Sequence, residues 1–535
     1  MTRPPGTEDA FPGAAAERIT LSLVSHTNVG KTTLARTLLR RDVGEVLDQA
    51  HVTEEAERFV LVTAGYEPAV LHEVVLDERA QDDTTRDDPA PDDPASSDAE
   101  RSPRQAELVL WDTPGFGDSA RLLRRLRTEE SPVLWFLQQT WDRLVDRPFW
   151  SSQRATLNVR QEADVVLYLV NAAEEPEDAG YVDLELELLD WLGVPVLLLL
   201  NQTGELGERP ELLREARERW RRHCERFGVV HGVLPLDAFS RAWVQESRLL
   251  EEVEALLPEA RRPAMAALRA AWDARNLEVF ERAVDAMADY LVRSGRDRET
   301  LPSKRPSTEE KQRAMEELVR RLGRSTQELM TTLLAVHQLE GEAAAAIDRQ
   351  LDAFAVEGED RLDPERGALL GGIVSGAVGG LAADLLSGGL TFGGGMLAGA
   401  ILGALGGAGL ARGVQLVRGD RLPEVGWTAP FLDRLFEQTL LRYLAVAHFG
   451  RGRGEFRGDD TSERWRDLLV STLRPGREQR LELWRDLVDP RRYADRELLH
   501  TTVDRAARRL LATAYPDSAT LLGIPPSSDT HAMVD

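Results

Sequence analysis

Six short apolar runs mark the first half of the chain, at residues 19–24, 58–63, 108–111, 164–170, 194–200 and 228–236. Stretches with apolar positions at helical spacing follow most of them, at 31–40, 181–192, 209–227 and 241–257. The run Val165-Val166-Leu167-Tyr168-Leu169-Val170 shows no polar alternation. That is the pattern of a strand covered on both faces. Strands alternating with helices predict a doubly wound α/β sheet over residues 18–257. Beyond about residue 258 strand signals fade. Segments such as 309–322, 326–339 and 462–473 read as amphipathic helices, so 258–515 is expected to be a mainly α-helical domain.

Several stretches break this alternation. Residues 1–17 and 516–535 are rich in Pro and small or acidic residues and are expected to be disordered tails. Residues 77–104 form an acidic, proline-bearing insertion between two strands, expected to be a solvated surface loop. Residues of about 128–161 carry Trp135, Phe136, Trp141, Phe149 and Trp150 at helical spacing. They predict inserted helices whose aromatics more often serve as core than as a partner or membrane surface.

Residues 367–411 contain one charge, Asp384. Glycines recur every four positions at Gly372, Gly376 and Gly380, and again at Gly395, Gly399, Gly403 and Gly407. Each such glycine costs a helix about 1 kcal/mol relative to alanine, a cost tolerated where another helix approaches closely. The expected element is a glycine-rich helical hairpin flanked by Arg366 and Arg412. Three readings stay open: a hairpin inserted in a membrane with both flanks in the cytoplasm, a glycine zipper buried in a soluble domain, and a hairpin stored in the soluble form and released on a nucleotide signal.

Charge and cysteine content narrow the picture. The 535 residues hold 66 Lys and Arg against 91 Asp and Glu, a formal net charge of −25. A general nucleic-acid binder would instead carry a basic surface. The single cysteine, Cys224, permits no intramolecular disulfide and suits a reducing, cytoplasmic setting. Only Lys31, Lys304 and Lys311 are lysines, so nearly every cation is arginine. A position that remains lysine against that bias invites a chemical reason.

Lys31 has one. The first apolar run ends in Ser25-His26-Thr27-Asn28-Val29-Gly30-Lys31-Thr32-Thr33, a P-loop with Ser25 in place of the usual first glycine. A turn from strand to helix points backbone N–H groups and the helix N-terminus at phosphate oxygens. Gly30 lets the backbone approach, Lys31 supplies a compact ammonium, and Thr32 offers a hydroxyl to Mg²⁺. A second strand delivers Asp112, in Asp112-Thr113-Pro114-Gly115, where Mg²⁺ and a terminal phosphate would be met.

These two motifs make the sequence resemble the Era/MnmE-like, translation-factor-class P-loop GTPases. The resemblance spans roughly residues 18–257, and the helical region after it resembles the C-terminal domain of unknown function that some bacterial GTPases carry. It implies binding of GTP with Mg²⁺, slow hydrolysis and a switch after Asp112. It assigns Asn28, Val29, Gly30, Lys31, Thr32 and Thr33 to the phosphates. It assigns Thr32, Thr53 and Asp112 to the metal, and Lys31, Thr53, Gly115 and Asn28 to catalysis. Asn201 and Gln202 fall in the base-recognition motif. There the sequence departs from the family: Asn201-Gln202-Thr203-Gly204 has Gln for Lys and Gly for the Asp that reads guanine. The loop Leu236-Asp237-Ala238-Phe239-Ser240 falls where the family places its last base-contacting loop.

Phe116 stands where Ras-like proteins place a water-orienting glutamine, and phenylalanine cannot hydrogen-bond water. Related GTPases with a hydrophobic residue there include some that use K⁺, held partly by the equivalent of Asn28. For Asn28 itself, K⁺ binding and simple shaping of the turn both stay open. The expected protein is a GTP-dependent switch acting on a helical effector domain. Expected partners are the guanine nucleotide, a second copy through the G domain, and a membrane through 367–411. Its expected place is the cytoplasm or the inner membrane surface. The competing expectations are a membrane-associated assembly protein with negligible turnover and a low-specificity NTPase or ATPase.

Overall fold

The computed structural model describes residues 16–26, 29–40, 57–66, 104–113, 119–128, 147–204, 209–238, 242–339, 414–417, 422–449 and 459–525. The expected acidic loop up to residue 103, the aromatic segment 129–146 and the glycine-rich segment 367–411 lie outside them.

The N-terminal part holds β1 (Glu17–Ser25), α1 (Lys31–Leu39), β2 (Glu57–Tyr66), β3 (Arg104–Asp112), α2 (Ser119–Thr128) and α3 (Arg147–Glu162). It continues with β4 (Val165–Asn171), α4 (Gly180–Leu192), β5 (Val196–Asn201), α5 (Pro210–Cys224), β6 (Val230–Pro235) and α6 (Trp243–Leu256). The six strands form one sheet in the order β2-β3-β1-β4-β5-β6. All neighbours are parallel except β2, which runs antiparallel to β3 at the sheet edge. The apolar strands are buried on both faces. Val165, Leu167, Leu169, Leu197 and Leu199 pack on one side beneath α1 and α6. Val166, Tyr168, Val170, Leu198 and Leu200 pack on the other with Phe149, Leu186, Leu189 and Trp220. Alternation by two along each strand thus becomes an uninterrupted apolar run.

The C-terminal part holds α7 (Arg262–Arg296), β7 (Arg298–Thr300), α8 (Thr308–Val336), β8 (Val414–Val417) and β9 (Glu424–Trp427). Then come α9 (Ala429–Ala447), α10 (Asp459–Leu473), α11 (Arg477–Val488) and α12 (Arg496–Ala514). Two findings depart from the sequence-based expectation. Strands β7, β9 and β8 form a small antiparallel sheet within the helical region. Each is three or four residues long; β8 and β9 pair close together in the chain, but β7 lies more than a hundred positions from its partner β9, and runs this short carry little local pattern. The expected tail from 516 is also corrected in its first part. Ala519 and Leu522 are buried in the helical core, and Ser518 Oγ donates to Val244 O at 3.1 Å. The Pro/Ser/Asp-rich composition masks two apolar anchors three residues apart. Residues 526–535 lie outside the described residues.

The two cores share one helix. Ala264, Met265, Leu268 and Trp272 at the start of α7 pack against the sheet. Phe280, Val284, Met287 and Leu291, further along the same helix, pack in the helical core. The junction is also polar. Trp272 Nε1 donates to Glu246 Oε2 at 2.7 Å, Asn276 Nδ2 donates to the same oxygen at 3.3 Å, and Arg40, which ends α1, donates to Asn276 Oδ1. Inside the helical core, buried Asp433 accepts from Arg480 Nε and Trp484 Nε1, both at 3.1 Å, tying α9 to α11. No described helix is long and apolar enough to cross a membrane.

Candidate nucleotide-binding site

Strand β1 lies between β3 and β4, so chain connections leave it in opposite directions and open a crevice at its C-terminal end. Four strand ends meet there. Leu23 is in register with Asp112, Ser25 with Leu169, and Asn171 with Asn201.

The turn from β1 to α1 is made by Gly30, whose φ of 96° is a left-handed conformation that favours glycine. Lys31, at the first position of α1, is buried. Its Nζ donates to Ser25 Oγ at 3.1 Å, His26 O at 3.3 Å and Ser25 O at 3.4 Å. Burial lowers its pKa, opposed by the nearby carboxylates of Asp112 and Glu185. Thr32 Oγ1 donates to Asp112 Oδ2 at 2.8 Å, while Asp112 Oδ1 is buried without a hydrogen-bond partner. Burial pushes the Asp112 carboxyl up to about 6, against the pull of Lys31 and Thr32. A desolvated carboxylate with one oxygen on the P-loop threonine and the other unsatisfied is a donor set lacking a cation. The residues present therefore fit Mg²⁺, with Thr32 and Asp112 as its protein side. Thr33 is buried in the first turn of α1.

At the far end of the crevice, Asn201 closes β5. Its Nδ2 donates to Val29 O at 2.6 Å, and its Oδ1 accepts from Ala238 N at 2.7 Å. One amide thus fixes the P-loop to the loop after β6. Gln202 follows with φ of 52° and Gly204 with φ of 46°. Thr203 donates to Asp237 Oδ2 twice, from its N at 2.9 Å and from its Oγ1 at 2.8 Å.

The structure thus brings together Val29, Gly30, Lys31, Thr32, Thr33, Asp112, Asn201 and Gln202 at one end of the sheet. Asn28, Thr53, Gly115 and Phe116 lie outside the described residues. Glu57, the first residue of β2, stands opposite Asp112 at this end of the sheet.

Two groupings went unread in the sequence. One is the Thr203–Asp237 bridge. The other surrounds His26, whose Nδ1 donates to Glu185 Oε1 at 3.0 Å and whose ring lies 4.4 Å from that of Tyr181. Glu185 is fully buried and also accepts from Tyr168 at 2.7 Å. The hydrogen bond to Glu185 raises the His26 pKa, against burial. A glutamate among the apolar residues of α4 was the available signal. Among the described residues no group of three or more His, Cys, Asp or Glu side chains could hold a metal by itself.

This is the architecture of a P-loop G domain, a phosphate-cradling turn at the switch point of a doubly wound sheet, joined to a mostly helical domain. The comparisons give it a family. Residues 20–202 match the model described as 50S ribosome-binding GTPase. Residues 222–512, more than half of the chain, match the model described as Domain of unknown function (DUF3482), and the chain belongs to that family. The GTPase match supports a GTP-binding protein. No curated protein matches the chain.

Among solved structures it is similar to Era in complex with MgGDPNP and a 16S ribosomal RNA segment. The identity is 17%, the TM-score 0.27, and the match covers 46% of this chain. The chain spans 58% of the length of that structure. It is also similar to Aquifex aeolicus Era bound to GDP and AlF₄⁻, at 18% identity and TM-score 0.27, covering 54% of this chain and 70% of that one. A structure of an oligomerised bacterial dynamin pair matches at 11% identity and TM-score 0.24, covering 94% and 70%. Likeness this low carries no argument about activity or partners.

Proposed function

We propose that this chain is a Mg²⁺-dependent GTP switch that hydrolyses GTP slowly and passes the nucleotide state to its helical domain. The observation that carries the reading is the trio at the head of α1. Lys31 is desolvated over P-loop carbonyls, Thr32 is bonded to Asp112, and Asp112 Oδ1 is left unpartnered in the interior. Buried polar groups in this state are stabilised by a phosphate and a cation, not by more protein. When bound, Mg²⁺ neutralises charge on the terminal phosphate oxygens. Lys31 binds and orients those oxygens, and Asn201 holds the P-loop against the base-side loops. Phe116 offers no water-orienting group, so slow turnover, raised by a partner, a second copy or K⁺ at Asn28, belongs to the proposal. The route to the helical domain runs through α7, which is part of both cores.

Membrane contact through 367–411, at the cytoplasmic face of the inner membrane, completes the reading. Flotation of the full chain on liposomes, with and without GTP, tests it. The second reading, an assembly protein with negligible turnover, is favoured by Phe116 together with Gly204.

The deciding experiment measures binding of guanine and adenine nucleotides, then phosphate release with and without Mg²⁺, in K⁺ and in Na⁺. Mg²⁺-dependent binding with measurable release supports the switch. Binding without release supports the assembly protein. Equal binding of both bases favours the low-specificity NTPase. Binding of neither nucleotide overturns the reading.

A further inference from the structure

The helical domain holds a cleft of about 280 Å³ where the last turn of α7, the middle of α8 and the end of β9 converge. Arg293, Ser294 and Arg296 line it from α7, Ser325 from α8 and Trp427 from β9. Its carboxylate, Asp297, is neutralised by Arg321, which also donates to Glu299. Arg293 meets only the well-exposed Glu328, at 3.8 Å, a pairing that solvent screens. Arg296 is exposed and reaches a backbone carbonyl, Ala494 O, at 3.5 Å. The cleft is therefore a cationic spot on a chain whose formal charge is −25.

Two groups in the interior are left without acceptors. Trp427 is fully buried and stacks on Phe431, and its Nε1 has no hydrogen-bond partner. Arg442 of α9 is 5% exposed, its Nε and Nη1 are buried without partners, and no carboxylate is paired with it among the described residues. The Tyr290 hydroxyl links this arginine to the cleft. It stands one turn before Ser294 in α7, bonds to Thr326 Oγ1 at 2.8 Å, and feels the charge of both Arg442 and Arg293. Cations in the last turn of a helix suit its free carbonyls, which accounts for Arg293 and Arg296. It does not account for an indole N–H and a guanidinium unsatisfied in the interior, each costly without an acceptor.

We propose that this cleft binds a phosphoryl oxyanion, carried by a small phosphomonoester or by a lipid head group. The inference is independent of the nucleotide site. Arg293 and Arg296 supply charge at the mouth. Ser294, Ser325 and Trp427 supply neutral donors, and Arg442 adds positive potential beside Tyr290. These donors come from separate helices and a strand, so they approach from several directions. A tetrahedral phosphoryl group, with three free oxygens and about two charges, matches that arrangement, and the arginine fork suits it. A carboxylate has two coplanar oxygens and a single charge and would leave donors unmet. The volume lies at the small end of ligand pockets, which limits the ligand to a compact molecule or to a head group alone.

The test is titration of the full chain with glycerol 3-phosphate, with acetate as the carboxylate control. It is run in wild type and in Lys31→Ala, which disables the phosphate site of the P-loop. Binding at the cleft should survive Lys31→Ala. Arg296→Gln alters an exposed side chain, leaves the core intact, and should weaken binding roughly tenfold. Trp427→Phe keeps the stacking on Phe431, deletes the N–H, and should weaken binding roughly threefold to tenfold. Flotation on phosphatidylcholine vesicles with and without phosphatidic acid reads the lipid source. Saturable glycerol 3-phosphate binding that falls in Arg296→Gln assigns a soluble ligand. Flotation that needs phosphatidic acid and falls in Arg296→Gln, without glycerol 3-phosphate binding, assigns a head group. Glycerol 3-phosphate binding that disappears in Lys31→Ala, acetate held as tightly as the phosphomonoester, or binding unchanged in both cleft variants would each overturn the site. So would the absence of binding in both arms.

Discussion

The two ends of the crevice solve different problems with the same economy of residues. At the phosphate end, Lys31 and Asp112 are buried beside Thr32 with charge left to satisfy: an ammonium resting on carbonyls and a carboxylate oxygen with no donor. At the base end, Asn201, Thr203, Asp237 and Ala238 bond to one another before any ligand arrives. One end stores electrostatic demand, and the other stores geometry. A ligand entering the first gains by satisfying desolvated groups. A ligand entering the second gains because little reorganisation remains to be done. The contrast implies that mutations at the phosphate end act on every nucleotide alike, whereas those at the base end redistribute affinity among bases.

The largest expected effect is at Lys31. Lys31→Ala should weaken guanosine and adenosine triphosphates by the same factor, roughly 100-fold or more, since it removes a charge-assisted contact to phosphate common to both. Isothermal titration of both ligands checks this, and a base-dependent loss would break the contrast. Asp112→Asn comes next. It keeps the shape and one acceptor but removes the charge, so the Mg²⁺ needed for half-maximal nucleotide binding should rise roughly tenfold to 100-fold with base preference untouched. A Mg²⁺ titration at fixed nucleotide reads it directly.

Asn201→Ala tests the link between the ends. It strands Val29 O and Ala238 N, both inside the fold, and should cost about 1–3 kcal/mol in urea unfolding of the G domain. Because Asn201 serves both loops, phosphate affinity and base preference should fall together, which neither single-ended variant does. Loss of stability with both binding properties intact would show that the ends are held independently.

How much of this the sequence discloses depends on whether a feature is local. Lys31 is legible from a nine-residue string and from being the only lysine in the first 303 positions. The central strands are legible because burial on both faces leaves an uninterrupted apolar run, as in β4 and β5. Strand β2 is harder. It lies at the edge with Val60 exposed, so its pattern is mixed and gives no hint that it runs antiparallel. Helix α7 shows one helical period throughout, and nothing in that period says that its first turns belong to the sheet and the rest to the helical core. The Thr203–Asp237 bridge joins residues 34 positions apart through two loops. No spacing rule reaches it, and only the parallel pairing of β5 with β6 makes the two loops neighbours.

The smallest expected effect sharpens the contrast within the P-loop itself. His26 is a titrating side chain that ties the phosphate turn to α4, through Glu185. Glu185 and Glu174 raise its pKa, while burial and Lys31 lower it, and the net shift is upward. A histidine whose folded pKa exceeds its ordinary 6.5 stabilises the fold fully below that value and loses the contribution as pH rises through the folded pKa. The ring is about one-third exposed, so solvent screens the pair and the stability change should be small. The clearer readout is the titration itself. In Glu185→Gln the neutral amide keeps a partner for Nδ1 but removes the charge, and the His26 midpoint, followed by its ring proton resonances, should move down. Phosphate binding would then draw the His26 midpoint up again in wild type and variant alike, since an anion near Lys31 offsets the lysine's repulsion of the imidazolium. If nucleotide left the midpoint unmoved in both proteins, His26 would be electrostatically separate from the phosphate site, and the stored demand at the phosphate end would be confined to Lys31 and Asp112.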